Sequence, residues 1–172
     1  MARQQFFDAY VMLSGGRTQD TQQILQEALV TGGRWSGRAV GDFDGVVAIT
    51  TDNRFDLDRL IARQQIGAVL LDVLRRRGRK VCPVKRTALP PNWVEAFALI
   101  NVQPGAAKSV RRQVRNLGGV AAAATVRGSA DVIAHFQATN DAGLDAALGA
   151  LNGVQGRVSH RVLRINQVMP PP

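Results

Sequence analysis

The chain is short of several things that common folds and chemistries require. It has one cysteine, Cys82, in 172 residues, which excludes an internal disulfide framework. It has two histidines, His135 and His160, and neither is accompanied by paired carboxylates or metal-ligand spacing. No stretch approaches the ~20 continuous apolar residues that carry a helix across a bilayer. The catalytic inventory is therefore thin. No catalytic residue, metal site or cofactor is expected, and no membrane partner. The first residues, Met1-Ala-Arg-Gln-Gln, lead into a strand-like segment and not into an apolar signal core, so a cytoplasmic location is the expectation.

Acid is scarce too. Lys and Arg number 22 against 13 Asp and Glu, a net charge of +9. Most of that excess sits in one segment holding Arg75, Arg76, Arg77, Arg79, Lys80, Lys85 and Arg86 without an acid among them. Such a cluster suits phosphate backbones or an acidic protein partner. The same segment lacks aromatic side chains on which bases would stack, which favours a solvated connector. Cys82 lies inside it, either as a thiol activated by nearby cations or as a small strand residue.

What the chain does have is repetition. At an offset of 87 residues, Asp8-Ala-Tyr-Val-Met-Leu13 falls on Glu95-Ala-Phe-Ala-Leu-Ile100. Gly32 falls on Gly119, Gly41-Asp-Phe-Asp44 on Gly128-Ser-Ala-Asp131, Asn53 on Asn140, and Leu57-Asp58 on Leu144-Asp145. Order and identity are kept together, so the chain reads as a tandem duplication. The first copy would cover 1–86, a proline-stiffened linker 87–92, the second copy 93–167 and a tail 168–172.

Periodicity gives each copy the same elements. Residues 7–13 and 93–102 are strand-like and mostly apolar, and turns follow at 14–17 and 103–105. Helices over 18–31 and 106–117 present Ile24, Leu25, Ala28 and Leu29, and Ala107, Val110, Val114 and Leu117, on one face each. Gly32-Gly33 and Gly118-Gly119 stop them. Hairpins follow, 34–40 with 46–51 and 120–127 with 132–138, joined by the two Gly-x-x-Asp loops. Second helices begin near Asp56 and Ala142, and 157–165 closes the second copy. The close of the first copy has two readings. Leu57, Leu60, Ile61, Val69, Leu70, Val73 and Leu74 fit one long helix, which makes 80–85 the last strand. Register with the second copy makes 69–77 the strand instead. Period 3.6 suits these residues better than period 2, so the helix is preferred.

A β-α-β-β-α-β order folds as a ferredoxin-like unit, an antiparallel sheet with both helices on one face. The other face is also apolar and must be covered. The expected fold class is therefore α+β: two tandem ferredoxin-like units packed sheet against sheet as a pseudo-dimeric barrel or sandwich within one chain. Further homo-oligomer formation through edges or helices is expected.

The order Glu95-Ala-Phe-Ala-Leu-Ile-Asn-Val-Gln-Pro-Gly105, helix, Leu-Gly-Gly-Val120, Gly128-Ser-Ala-Asp-Val-Ile-Ala134, helix and closing strand resembles the effector domain of the Lrp/AsnC transcription regulators. A fainter copy runs over 6–86. The resemblance implies sheet-mediated dimers, often octameric rings, and an effector, commonly an amino acid, bound near the Gly-x-x-Asp loop. Carried over, that loop is Gly128, Ser129, Ala130 and Asp131, with Gly41, Asp42, Phe43 and Asp44 as its echo. The family often has an aromatic residue before the Asp; Phe43 keeps it and Ala130 departs from it. A plain hairpin turn, with glycine at positive φ and Asp capping amides, explains both loops equally. Phe6 already opens the first strand, so no helix-turn-helix is expected ahead of it. The leading function is a non-enzymatic small-molecule sensing and oligomerisation module. The alternatives are a self-assembling or partner-binding protein, a basic nucleic-acid-associated protein, and an enzyme on a dimeric α+β barrel.

Overall fold

The computed structural model describes residues 5–14, 33–41, 43–51, 67–77, 92–128 and 130–169. Eight strands lie within them: β1 (Gln5–Ser14), β2 (Gly33–Gly41), β3 (Gly45–Thr51), β4 (Gly67–Arg77), β5 (Val94–Val102), β6 (Val120–Gly128), β7 (Val132–Ala138) and β8 (Arg157–Met169). Helix α1 (Ala107–Arg115) joins β5 to β6. Helix α2 (Asp141–Gly149), continued by a 3-10 turn (Ala150–Gly153), joins β7 to β8. The helices expected over 18–31 and from near Asp56 lie outside the described residues, as does most of the expected linker.

The strands close into a barrel in the order β1-β3-β2-β8-β5-β7-β6-β4, and every neighbouring pair is antiparallel. Closure removes free sheet edges. The ladders of the two halves coincide at the 87-residue offset. Leu13 opposes Gly45 as Ile100 opposes Val132, and Trp35 opposes Ala48 as Ala122 opposes His135. Even the register shift recurs, between Gly33 and Trp35 and between Val120 and Ala122. At the last strand the offset becomes 92: Leu13 opposes Ala68, and Ile100 opposes His160. The two seams between the halves match as well. Gly41 opposes Leu163 where Gly128 opposes Leu71, and Val40 opposes Arg164 where Arg127 opposes Asp72.

The preferred close of the first copy is overturned: 67–77 is strand β4, not the end of a long helix. Its run Val69-Leu-Leu-Asp-Val-Leu74 is apolar at nearly every position, so the period of 2 is hidden and the spacing also fits a helix. The final strand also extends further than expected. Val168 and Met169, read as tail, pair with Gly37 and Ser36.

Alternation on β5 explains the two cores. Phe97 and Leu99 turn into the barrel, where they pack with Phe43, Val46, Ala124, Val126, Ala130, Ile133 and Leu163. Ala96, Ala98 and Ile100 turn outward against Val110 and Val114 of α1 and Leu144 and Leu148 of α2. The inner cluster takes residues from both halves, so the halves share one interior. Phe97, Phe136, Leu99, Ile100, Ile133 and Leu144 are the largest fully buried side chains. Each such burial is worth roughly 1.5–3 kcal/mol.

Local signals fix the helices. The Asn140 side chain accepts the Gly143 amide at 2.8 Å and caps α2. Arg112 and Arg115 occupy the last turn of α1, where cations meet the negative end of the helix dipole. Gly119, at φ +82, supplies the left-handed residue between α1 and β6.

Candidate functional site

The two Gly-x-x-Asp loops turn the chain between β2 and β3 and between β6 and β7. In the second, the Asp131 amide donates to the Ile100 carbonyl at 3.0 Å, and its carbonyl accepts from the Val126 amide at 2.9 Å. Its carboxylate Oδ2 accepts from the Val102 amide at 2.9 Å. Asp131 thus ties its own hairpin to the end of β5, the capping role that a turn aspartate fills. Ala130 beside it is buried in the barrel interior.

The first loop differs in one side chain. Phe43 occupies the place of Ala130 and is buried in the same inner cluster. The guanidinium of Arg161, on β8, lies over its ring at 5.2 Å from the centroid. Asp44 is half-buried. Gly41 and Gly128 end β2 and β6 at the two seams. Each loop thus sits where one half meets the other. Asp42 and Ser129 lie outside the described residues.

The basic segment is divided. Arg75, Arg76 and Arg77 form the end of β4, where Arg76 and Arg77 oppose Phe6 and Gln5 of β1. All three belong to the strand and not to a connector. Arg79, Lys80, Lys85 and Arg86 lie outside the described residues. A second group of cations, Lys108, Arg111, Arg112 and Arg115, lies on α1 without an acid in that helix.

Sequence reasoning passed over one arrangement. His135 on β7 and Glu95 on β5 are both buried inside the barrel, and His135 Nε2 lies 2.7 Å from Glu95 Oε2. Phe97, directly opposite His135 in the ladder, stacks on the imidazole with centroids 4.6 Å apart and planes 8° from parallel. A signal was present: Glu95 and His135 are the polar interruptions of two apolar strands. Pairing those strands in the hairpin order puts both on the inner face. By contrast, His160 sits near the start of β8, its Nδ1 3.1 Å from Arg157. Among the described residues no group of three His, Cys, Asp or Glu side chains could hold a metal ion. Nor is any described helix long and apolar enough to cross a membrane.

A closed antiparallel α+β barrel with a loop-borne aspartate at each seam is the class that this architecture defines. Within it, residues 95–167 match the family model of the Lrp/AsnC ligand binding domain. A search of the curated proteins gives no match. Among solved structures, the siroheme decarboxylase NirDL superposes with a TM-score of 0.70 at 11% identity, over 95% of this chain and 72% of that one. Its co-complex with an iron-uroporphyrin III analogue gives 0.65 at 10% identity, with the same coverage. A monooxygenase-like protein from Fusobacterium nucleatum subsp. nucleatum superposes at 0.52 and 9% identity, over 99% and 96% of the two chains. At these identities the likeness is one of fold.

Proposed function

We propose that the chain is a duplicated sensing module, a pseudo-dimer of two Lrp/AsnC-type units in one polypeptide, that responds to a small amino-acid-like effector without catalysing a reaction. Its units are 1–86 and 93–167, joined by 87–92. The observation that carries this reading is the coincidence of both ladders and both seams at the repeat offset, together with the family match over 95–167. Two sheets with matching seams occupy the places of two subunits.

The effector contacts are the loops Gly41–Asp44 and Gly128–Asp131, because each loop lies at a seam and a ligand there would bear on both halves. A turn with backbone N–H groups beside a carboxylate matches the two charged ends of an amino acid. Further oligomer formation, and an acidic or nucleic-acid partner at Arg75–Arg77 and the cations beyond, belong to the same reading.

Thermal-shift titration of the full chain with each of the twenty amino acids tests it. Stabilisation by at least one, reduced by changes in either loop, is the expected outcome. A melting curve indifferent to all twenty removes the amino-acid reading, and light scattering with and without ligand reads the assembly.

A further inference from the structure

Two polar atoms inside the barrel lack a partner. His135 is fully buried, and its Nδ1 makes no hydrogen bond; Gln137, two residues along the same strand, leaves its buried Nε2 equally unpaired. Residues i and i+2 of a strand share a face, and Glu95 directly opposes Gln137 in the ladder. Glu95, His135 and Gln137 therefore form one polar patch on the inner face. It lies at the end of the β5–β7 pair remote from Asp131, and so is separate from the sensing loops. An unpaired buried polar atom costs roughly 1–3 kcal/mol, and two together call for an occupant.

The chemistry of the patch limits that occupant. In the tautomer protonated at Nε2, His135 donates to the Glu95 carboxylate and Nδ1 is left as an acceptor. The Gln137 amide nitrogen offers N–H. Phe97 covers one face of the imidazole and fixes its plane. The residue opposite His135 on β6 is Ala122, with only a methyl group; at the matching row of the first half, Trp35 stands opposite Ala48. The second half thus combines a small residue with a polar one where the first half has a large apolar residue and alanine.

We infer that Glu95, His135 and Gln137 form a binding site, one per chain, for a small neutral molecule that carries a donor beside an acceptor, as a carboxamide or lactam does. The ligand N–H donates to His135 Nδ1, and its carbonyl accepts from Gln137. Glu95 holds the tautomer, and Phe97 and Ala122 wall the site.

The test is an NMR titration of the full chain labelled with ¹⁵N-histidine, using acetamide, benzamide and 2-pyrrolidinone, with acetate and benzoate as the carboxylate counterparts. The amides and the lactam move the His135 Nδ1 resonance with one-to-one saturation, and acetate and benzoate do not. Gln137→Leu weakens amide affinity about tenfold, the loss expected from one hydrogen bond. Ala122→Leu removes no polar group but adds bulk on the inner face opposite His135, and abolishes the response in a protein that still melts cooperatively. The inference is overturned if no amide moves that resonance, if the carboxylates move it instead, or if both variants bind as the parent does. Because the amino-acid screen reports on the loops, its failure and this one are separable.

Discussion

Phe43 and Arg161 meet at the seam between β2 and β8: an aromatic side chain from the first half sits beneath a guanidinium from the second, 5.2 Å from ring centroid to carbon. Phe43 also packs in the inner cluster with Phe97 and Leu163. Loop, interior and seam are therefore coupled through one ring. Phe43→Ala is expected to cost about 3–5 kcal/mol, the usual range for a buried phenylalanine. Arg161→Gln removes the cation–π contact with the Phe43 ring, worth at least about 0.5–1 kcal/mol. Denaturant unfolding followed by fluorescence and by circular dichroism checks both values. The two probes should report one transition in each variant, because the halves share an interior.

Asp131 invites a separation of stability from binding. Its carboxylate accepts the Val102 amide, so Asp131→Ala leaves a part-buried N–H without that acceptor, at about 1–3 kcal/mol. Asp131→Asn keeps an oxygen for Val102 and should cost less than half as much. If the carboxylate also meets the charged amine of an effector, Asp131→Asn abolishes thermal stabilisation by ligand while the unliganded melting temperature falls only slightly. Equal loss of ligand response and stability in both variants would make Asp131 a turn residue alone.

Gly119 tests the packing between α2 and the sheet. Its φ is +82, and an added Cβ would approach the Ala147 Cβ to 2.9 Å and the Gln137 carbonyl to 3.3 Å. Gly119→Ala therefore carries both backbone strain and a clash with a neighbour held in a helix, together about 1–3 kcal/mol. Thermal melting should show the loss. Gly118, at which an added Cβ meets nothing within 4 Å, is the control, and Gly118→Ala should leave the melting temperature nearly unchanged.

Strands, hairpins and α1 were legible because their signals are local. The run from Val132 to Ala138 is bounded by an aspartate turn and by the Asn140 cap, and residue pattern alone delimits it. β4 was misread for a tertiary reason. β1 and β6 flank it through long-range ladders, and its run of consecutive apolar residues carries no local pattern that distinguishes such a strand from a helix. The Glu95–His135 contact was hidden by distance along the chain and by the register of β5 against β7. The 87-residue spacing carried the missing register, since that offset aligns both ladders. The spacing changes only at the last strand, where five further residues bring the offset to 92.

The seams explain why the two halves would be better joined than free. In the intact chain Arg127 opposes Asp72, and Arg164 opposes Val40. Were a fragment of residues 92–169 to dimerise through equivalent seams, Gly128 would face Leu163 and Arg127 would face Arg164 of the other copy. Like charges directly opposite in a ladder are unfavourable, where a favourable cross-strand pair is worth about 0.2–1 kcal/mol, and a symmetric dimer would hold two such pairs. The same fragment would expose Phe97, Leu99, Ile133 and Leu163, now inside the barrel, and so could not remain a stable monomer. It is expected to associate weakly and to unfold at concentrations where the full chain stays folded. Arg127→Asp should tighten the fragment's dimer in sedimentation equilibrium and loosen the full chain, where the new aspartate would oppose Asp72. A soluble, folded, monomeric fragment would show that the halves do not need each other.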